Sequence, residues 1–206
     1  MLTILGRESS INVRKVMWTC AELNLEFERQ DWGIGFKDVN TDEFRALNPN
    51  AKIPVLLDGE RVLWESHTIV RYLANRQAPT ALYPQDAWQR AKVDQWLDWQ
   101  ASELNPTWTY AFWSLVRQSP KHQDAAQVQA SLAAWTQVMG ILERHLAQTQ
   151  AYAAGTEFTL ADIILGLSIH RWLNTPFDRP VLKAVEDYYH RLAARPAFIK
   201  QCAGFP

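Results

Sequence analysis

Cysteine is scarce, charge is balanced and long apolar runs are missing. Cys20 and Cys202 are the two cysteines among 206 residues. They are too few for a disulfide scaffold, and no Cys/His cluster carries zinc spacing, so no metal is expected. Lys plus Arg is 21, Asp plus Glu is 22, and the formal net charge is −1. That balance excludes the basic surface of a nucleic-acid binder and an acidic disordered tail. No apolar stretch approaches the roughly 18 residues of a membrane span. The opening MLTILGRESS has no charged leader followed by an apolar segment, so no signal peptide is expected. These absences predict a soluble protein of a reducing compartment, with neither membrane nor nucleic acid as partner. What is abundant is tryptophan, ten copies, half of them between Trp88 and Trp113.

The first 77 residues read as a small α/β unit. Leu2–Leu5 is a short strand candidate closed by Gly6. Val13, Val16, Met17, Cys20 and Leu23 fall at helical spacing, and Phe27–Asp31 offers a second strand. That is a β-α-β stretch of parallel-crossover length. Asn40 or Thr41 precedes a short helix with Asp42 and Glu43 in its first turn, and Pro49 ends it. Two apolar runs flank Asp58-Gly59, a strong hairpin signal. Glu65-Ser66 then opens a helix with Ile69, Val70, Tyr72 and Leu73 on one face. The order is β-α-β-α-β-β-α.

Residues 79–85 read as a linker with two prolines, and only helical pattern follows. A long helix starts near Asp86, with a kink expected at Pro106. Another spans about Asp124–Gln148, and a last one about Val181–Ala194. Thr159-Leu160-Ala161-Asp162 has the pattern of a capping box. The fold class is therefore α/β plus all-α, with domains at 1–78 and 86–206. Periodicity stops short of function.

Several segments together resemble the cytosolic glutathione transferases, in the bacterial Ser-type, theta/phi-like group. They are GRESSINVRKV after the first strand, Asn48-Pro49-Asn50-Ala51-Lys52-Ile53-Pro54-Val55-Leu56, Trp64-Glu65-Ser66 running into Ile69-Val70-Arg71-Tyr72-Leu73, Phe158-Thr159-Leu160-Ala161-Asp162-Ile163, and Arg195-Pro196-Ala197-Phe198. Each is weak alone; in this order and spacing they cover nearly the whole chain. The resemblance implies a thioredoxin-like N-terminal domain that binds glutathione as co-substrate. It also implies a helical C-terminal domain that helps hold a small hydrophobic electrophile. A cytoplasmic, homodimeric detoxification enzyme is the implied setting. The alternatives are a glutathione-dependent peroxidase or disulfide reductase on the same fold, and a noncatalytic carrier of hydrophobic ligands.

A free thiol with a pKa of about 8.5 is mostly protonated at neutral pH, and it attacks as thiolate. Lowering that value by about 2 units is worth roughly 2.7 kcal/mol. One hydrogen bond to a charged acceptor supplies about 1.5–3 kcal/mol, and a helix N-terminus about 0.3–1 kcal/mol more. The resemblance puts the catalytic hydroxyl four residues before Arg14, at Ser10, with Ser9 second and the Asn12 amide third. Ser10 is equally a favoured helix cap. No Tyr or Cys occupies this turn. Cys20 falls on the apolar face of the helix, which argues against an oxidoreductase acting through its own thiol.

The same resemblance makes the bond before Pro54 cis and frees the main chain of Ile53 to pair with the cysteinyl unit of glutathione as an added strand. Glu65, Ser66 and the helix they open would take the γ-glutamyl end, and Lys52 the glycyl carboxylate. Without the resemblance, Pro54 is a strand-starting proline, Ser66 a cap and Lys52 a solvated lysine. The hydrophobic substrate is assigned to Trp108 and Trp113, with Phe36 and Phe205 closing the site, although helix packing explains such aromatics equally well. Trp88, Trp96 and Trp99 are expected to pack, and Asp162 to cap a helix.

Overall fold

A computed structural model describes residues 1–205. The chain divides into two compact units, residues 1–84 with 196–205, and residues 85–195.

The first unit holds β1 (Leu2–Leu5), α1 (Ile11–Glu22), β2 (Phe27–Gln30), α2 (Asp42–Leu47), β3 (Val55–Asp58), β4 (Arg61–Trp64) and α3 (Ser66–Arg76). The order read from the sequence is the order observed. The sheet runs β2-β1-β3-β4, with β1 parallel to β2 and antiparallel to β3, and β3 antiparallel to β4. Leu5 and Val55, opposite each other in the ladder, are buried with Trp32 and with Phe44 of α2. Strand alternation sends the next pair, Ile4 and Leu56, to the other face, and both are also buried. A sheet covered on both faces explains why these strands read as near-continuous apolar runs. α1 and α3 pack side by side and bury Val13, Val16, Met17, Ile69, Val70 and Leu73. The Ile53–Pro54 bond is cis, as the resemblance implied, and Ala78–Pro79 is cis as well.

The second unit holds α4 (Ala87–Trp99), α5 (Asn105–Leu115), α6 (Ala125–Thr149), α7 (Leu160–Asn174) and α8 (Lys183–Ala193). α7 is buried on every side from Leu160 to Trp172, the mark of a central helix. Asp162 closes the expected capping box. Its Oδ2 accepts from the Thr159 N–H at 2.7 Å and hydroxyl at 3.1 Å, and its Oδ1 from the Ala153 N–H at 2.8 Å and the Tyr188 hydroxyl at 2.5 Å.

Three expectations need correction. The break between α4 and α5 is a π-helical segment, Gln100–Leu104, whereas Pro106 sits in the first turn of α5. The buried Gln100 amide donates to Asn105 Oδ1 at 2.8 Å and Ser168 Oγ at 3.0 Å, and widening the helix there seats that polar side chain. Trp88 is 70% exposed and packs little. The helical region drawn through 206, whose last residue lies outside the described ones, does not stay together. α9 (Pro196–Cys202) packs on α1, with the Phe198 ring 5.0 Å from that of Trp18.

Candidate functional site

Three segments of the first unit meet at one small cavity. Asn12 comes from the first turn of α1, Asn48, Lys52, Ile53 and Pro54 from the loop into β3, and Glu65 and Ser66 from the start of α3. The cavity volume is about 50 Å³, room for the end-group of a ligand rather than for a whole tripeptide. Gly6, at the end of β1, permits the approach. A Cβ there would meet Val13 at 2.5 Å and Ile53 at 3.1 Å, and its φ is +151°.

Electrostatics follow from how the helices begin. α2, α4 and α6 are each capped by a side chain, from Thr41, Asp86 and Asp124. α1 and α3 have no side-chain cap and no acid in their first turn. Their leading N–H groups and positive dipole ends therefore remain available to an anion. Ser10 is the N-cap residue of α1, yet its hydroxyl makes no cap bond, and none to any other described residue. Ser9, one residue earlier, accepts from Arg7 Nε at 3.1 Å.

Glu65 is exposed and holds φ 69°, ψ 114°, a backbone state that L residues adopt at a cost of about 1–3 kcal/mol. It places a carboxylate beside the uncapped end of α3. A carboxylate next to a row of free N–H groups is complementary to a zwitterion, the ammonium on the first and the carboxylate on the second. Ser66 is 7% exposed and belongs to the same cavity. Ile53 lies before Val55, the first residue of the β3 ladder, so its main chain stands outside the sheet pairing.

Two residues escaped the sequence reading. Asn48 is buried; its Nδ2 donates to the Lys52 carbonyl at 2.7 Å and its Oδ1 accepts from the Asn50 N–H at 3.0 Å. It thus shapes the loop that carries Lys52 and Ile53. The available signal was an Asn directly after a short helix, but its side chain's reach to Lys52 is not visible in the motif alone. Arg7 is the other; it stands in the turn before α1, with its Nε donating to Ser9 Oγ at 3.1 Å. Lys37 lies with its ammonium 5.1 Å from the Trp32 ring centroid.

The aromatic candidates are distributed differently. Phe36 is 56% exposed on the loop after β2. Trp108 meets Phe112 edge-on at 5.6 Å and Trp135 at 6.4 Å, with the Arg171 guanidinium 4.5 Å above its ring. Trp113 stacks on His122 at 5.8 Å. Five residues apart on one helix, the two tryptophans face different neighbours and do not form a single wall. Phe205 packs over Arg14, 5.7 Å from its guanidinium carbon, instead of standing open to close a substrate site. Among the described residues, no group of three or more His, Cys, Asp or Glu side chains has the arrangement of a metal site.

Comparison with known proteins settles the family. Residues 9–76 match the family described as "Glutathione S-transferase, N-terminal domain", and residues 104–196 match "Glutathione S-transferase, C-terminal domain". The chain belongs to the glutathione S-transferase family. Glutathione S-transferase GstB of Escherichia coli is 33% identical over 202 residues, covering 97% of each chain. Glutathione S-transferase 3 of Zea mays is 35% identical, covering all of this chain and 95% of the maize one. Among solved structures, the theta class glutathione S-transferase of Xanthomonas axonopodis pv. citri with glutathione bound superposes with a TM-score of 0.92. It is 39% identical and covers 98% of this chain and 97% of that one. The transferase fold expected from the sequence is the fold observed.

Proposed function

We propose that the protein conjugates the thiolate of glutathione to a small hydrophobic electrophile. The observation that carries this reading is the convergence of two uncapped helix N-termini, with Glu65 beside one and the unspent Ser10 hydroxyl beside the other. The γ-glutamyl end, a zwitterion, fits α3 and Ser66 through its carboxylate and Glu65 through its ammonium. The main chain of Ile53, ahead of Pro54, pairs with the cysteinyl unit. Lys52 takes the glycyl carboxylate. That leaves the sulfur at the start of α1, where Ser10 donates to it, with Ser9 and the Asn12 amide as neighbouring donors. The thiolate attacks an electrophilic carbon, a carbon–sulfur bond forms, and the leaving group departs with its electron pair. For the electrophile, Phe36 on the first unit and Trp108 and Trp113 on the second are separate candidate contacts.

We further propose a cytoplasmic homodimer with a role in detoxification. The cytosol keeps glutathione reduced, and no described helix is long and apolar enough to cross a membrane. Sedimentation at micromolar concentration reads the mass directly; a 23.7 kDa species would refute the dimer.

Parallel turnover assays with a chlorodinitrobenzene-type electrophile, a peroxide and a mixed disulfide test the reaction. Transfer to the aromatic carbon as the dominant activity is expected. Dominant peroxide or disulfide turnover would move the reading to reductive chemistry, and binding without turnover to a carrier. In Ser10→Ala, kcat should fall roughly 10- to 100-fold, the worth of one hydrogen bond to a charged sulfur, while the glutathione Kd stays within about threefold. Unchanged kcat would transfer the role to Ser9 or Asn12.

A further inference from the structure

Arg7 is tied into the turn that carries the serine hydroxyls. Its N–H donates to the Trp32 carbonyl at 3.1 Å, and its own carbonyl accepts from the Ser10 N–H at 3.2 Å. Its Nε donates to Ser9 Oγ at 3.1 Å and its Nη1 to the Ile34 carbonyl at 3.4 Å. The side chain therefore bridges from the first turn to the loop after β2, and it is half-buried there. Gly33 leaves the space: with φ +99°, a Cβ on it would lie 3.3 Å from Arg7 Nη1 and 3.3 Å from Ile53 Cδ1. The Gly33 position thus borders both the guanidinium and the side chain of Ile53, the residue assigned to the cysteinyl unit.

We propose that Arg7 is a positioning residue for the sulfur anion, a reading that rests on the transferase function above. By donating to Ser9 Oγ it occupies a lone pair of that hydroxyl and fixes where the oxygen sits. Through its carbonyl it fixes the main chain of Ser10. Its charge favours an anion within several ångströms, as an opposite charge at close range lowers the pKa of an acid. The other charged groups of this region are differently engaged. Arg29 pairs with Asp31 and with Glu8 at 3.9 Å, Lys37 lies against Trp32, and Lys52 belongs to the cavity assigned to the peptide.

The test is a spectroscopic titration of the glutathione thiolate bound to wild type, Arg7→Gln and Arg7→Lys, together with the pH profile of kcat/KM. Arg7→Gln should raise the titration midpoint by about one pH unit, the low end of a close-charge effect. Its kcat/KM should fall about tenfold on the acidic side and return toward wild type on the alkaline side. Arg7→Lys keeps the charge but not the fork, and should shift by about half as much. A purely structural role would lower the melting temperature and leave the midpoint in place, and that result in Arg7→Gln overturns the proposal. If Arg7→Gln does not fold, a wild-type midpoint in Arg7→Lys overturns it equally. A wild type that binds no glutathione or shows no thiolate would sink the transferase reading, and this proposal with it. A normal wild-type titration with unmoved variants sinks this proposal alone.

Discussion

Burial pushes the Cys20 thiol up to about 12, and it does the same for Cys202, where nearby Arg14 opposes it to a lesser degree. Neither thiol is therefore a nucleophile near neutrality, and the sulfur chemistry has to be imported. The ordinary value is 9.0, so the folded chain keeps protons that the unfolded chain gives up. Their contribution to stability is complete below about pH 9 and declines as pH rises toward about 12. Urea midpoints measured from about pH 8 to 10.5 should fall steadily, and Cys20→Ala should flatten the fall. A disulfide reagent at about pH 8 should label native protein slowly and both thiols fast after unfolding; rapid native labelling would contradict the burial. At this scale the apolar spacing of Cys20 was legible in the sequence. The unspent hydroxyl of Ser10 was not, because a serine before a helix reads the same whether or not it caps.

Helix starts decide both the fold and the site. Thr41 and the Asp58-Gly59 turn behave as their residue types dictate, the Thr41 hydroxyl accepting from the Phe44 N–H at 3.3 Å. Local chemistry of that kind is readable because it depends on four residues. The π segment at Gln100 was not readable, because the buried Gln100 amide that it carries finds a partner in Ser168, far along the chain. α9 was missed as a helix because seven residues carry too little periodicity to declare one. The start of α7 shows what a buried cap is worth. Burial pushes the Asp162 carboxyl up, against the pull of its four donors. Asp162→Asn would set an amide donor against donors already in place, so that buried N–H and O–H groups lose their acceptor. A loss of about 3 kcal/mol is expected, roughly 6–12 °C in melting temperature for a chain of this size. Glutathione affinity should be retained at temperatures where the variant stays folded, since none of the cavity residues belongs to this helix. A melting temperature within about 2 °C of wild type would refute the cap's importance.

The chain returns to its beginning. Residues 196–205 join the first unit, and their seat is α1, the helix whose N-terminus is proposed above to face the sulfur. Phe198 is 2% exposed against the fully buried Trp18. The buried Arg14 donates to the Gln201 carbonyl at 3.0 Å and the Phe205 carbonyl at 3.3 Å. The sequence shows Arg14 only as a basic residue at a useful count from Ser10; that its acceptors lie nearly two hundred residues later is a property of the folded molecule. A chain ended after Arg195 strips both carbonyls from a buried cation and bares the Trp18 ring. The aromatic contact alone, removed by Phe198→Ala, should cost about 3–5 kcal/mol. The truncated chain should lose at least that, with α1 loosened at its packed face. If the α1 N–H groups and the Ser10 hydroxyl face the sulfur as proposed, loosening α1 shifts them, so kcat should fall more than the glutathione Kd rises. Melting curves and single-turnover rates on the two variants measure this. If the truncated chain melted and turned over like the full one, the C-terminal segment would be a passive tail and the coupling of α9 to the start of α1 would be wrong.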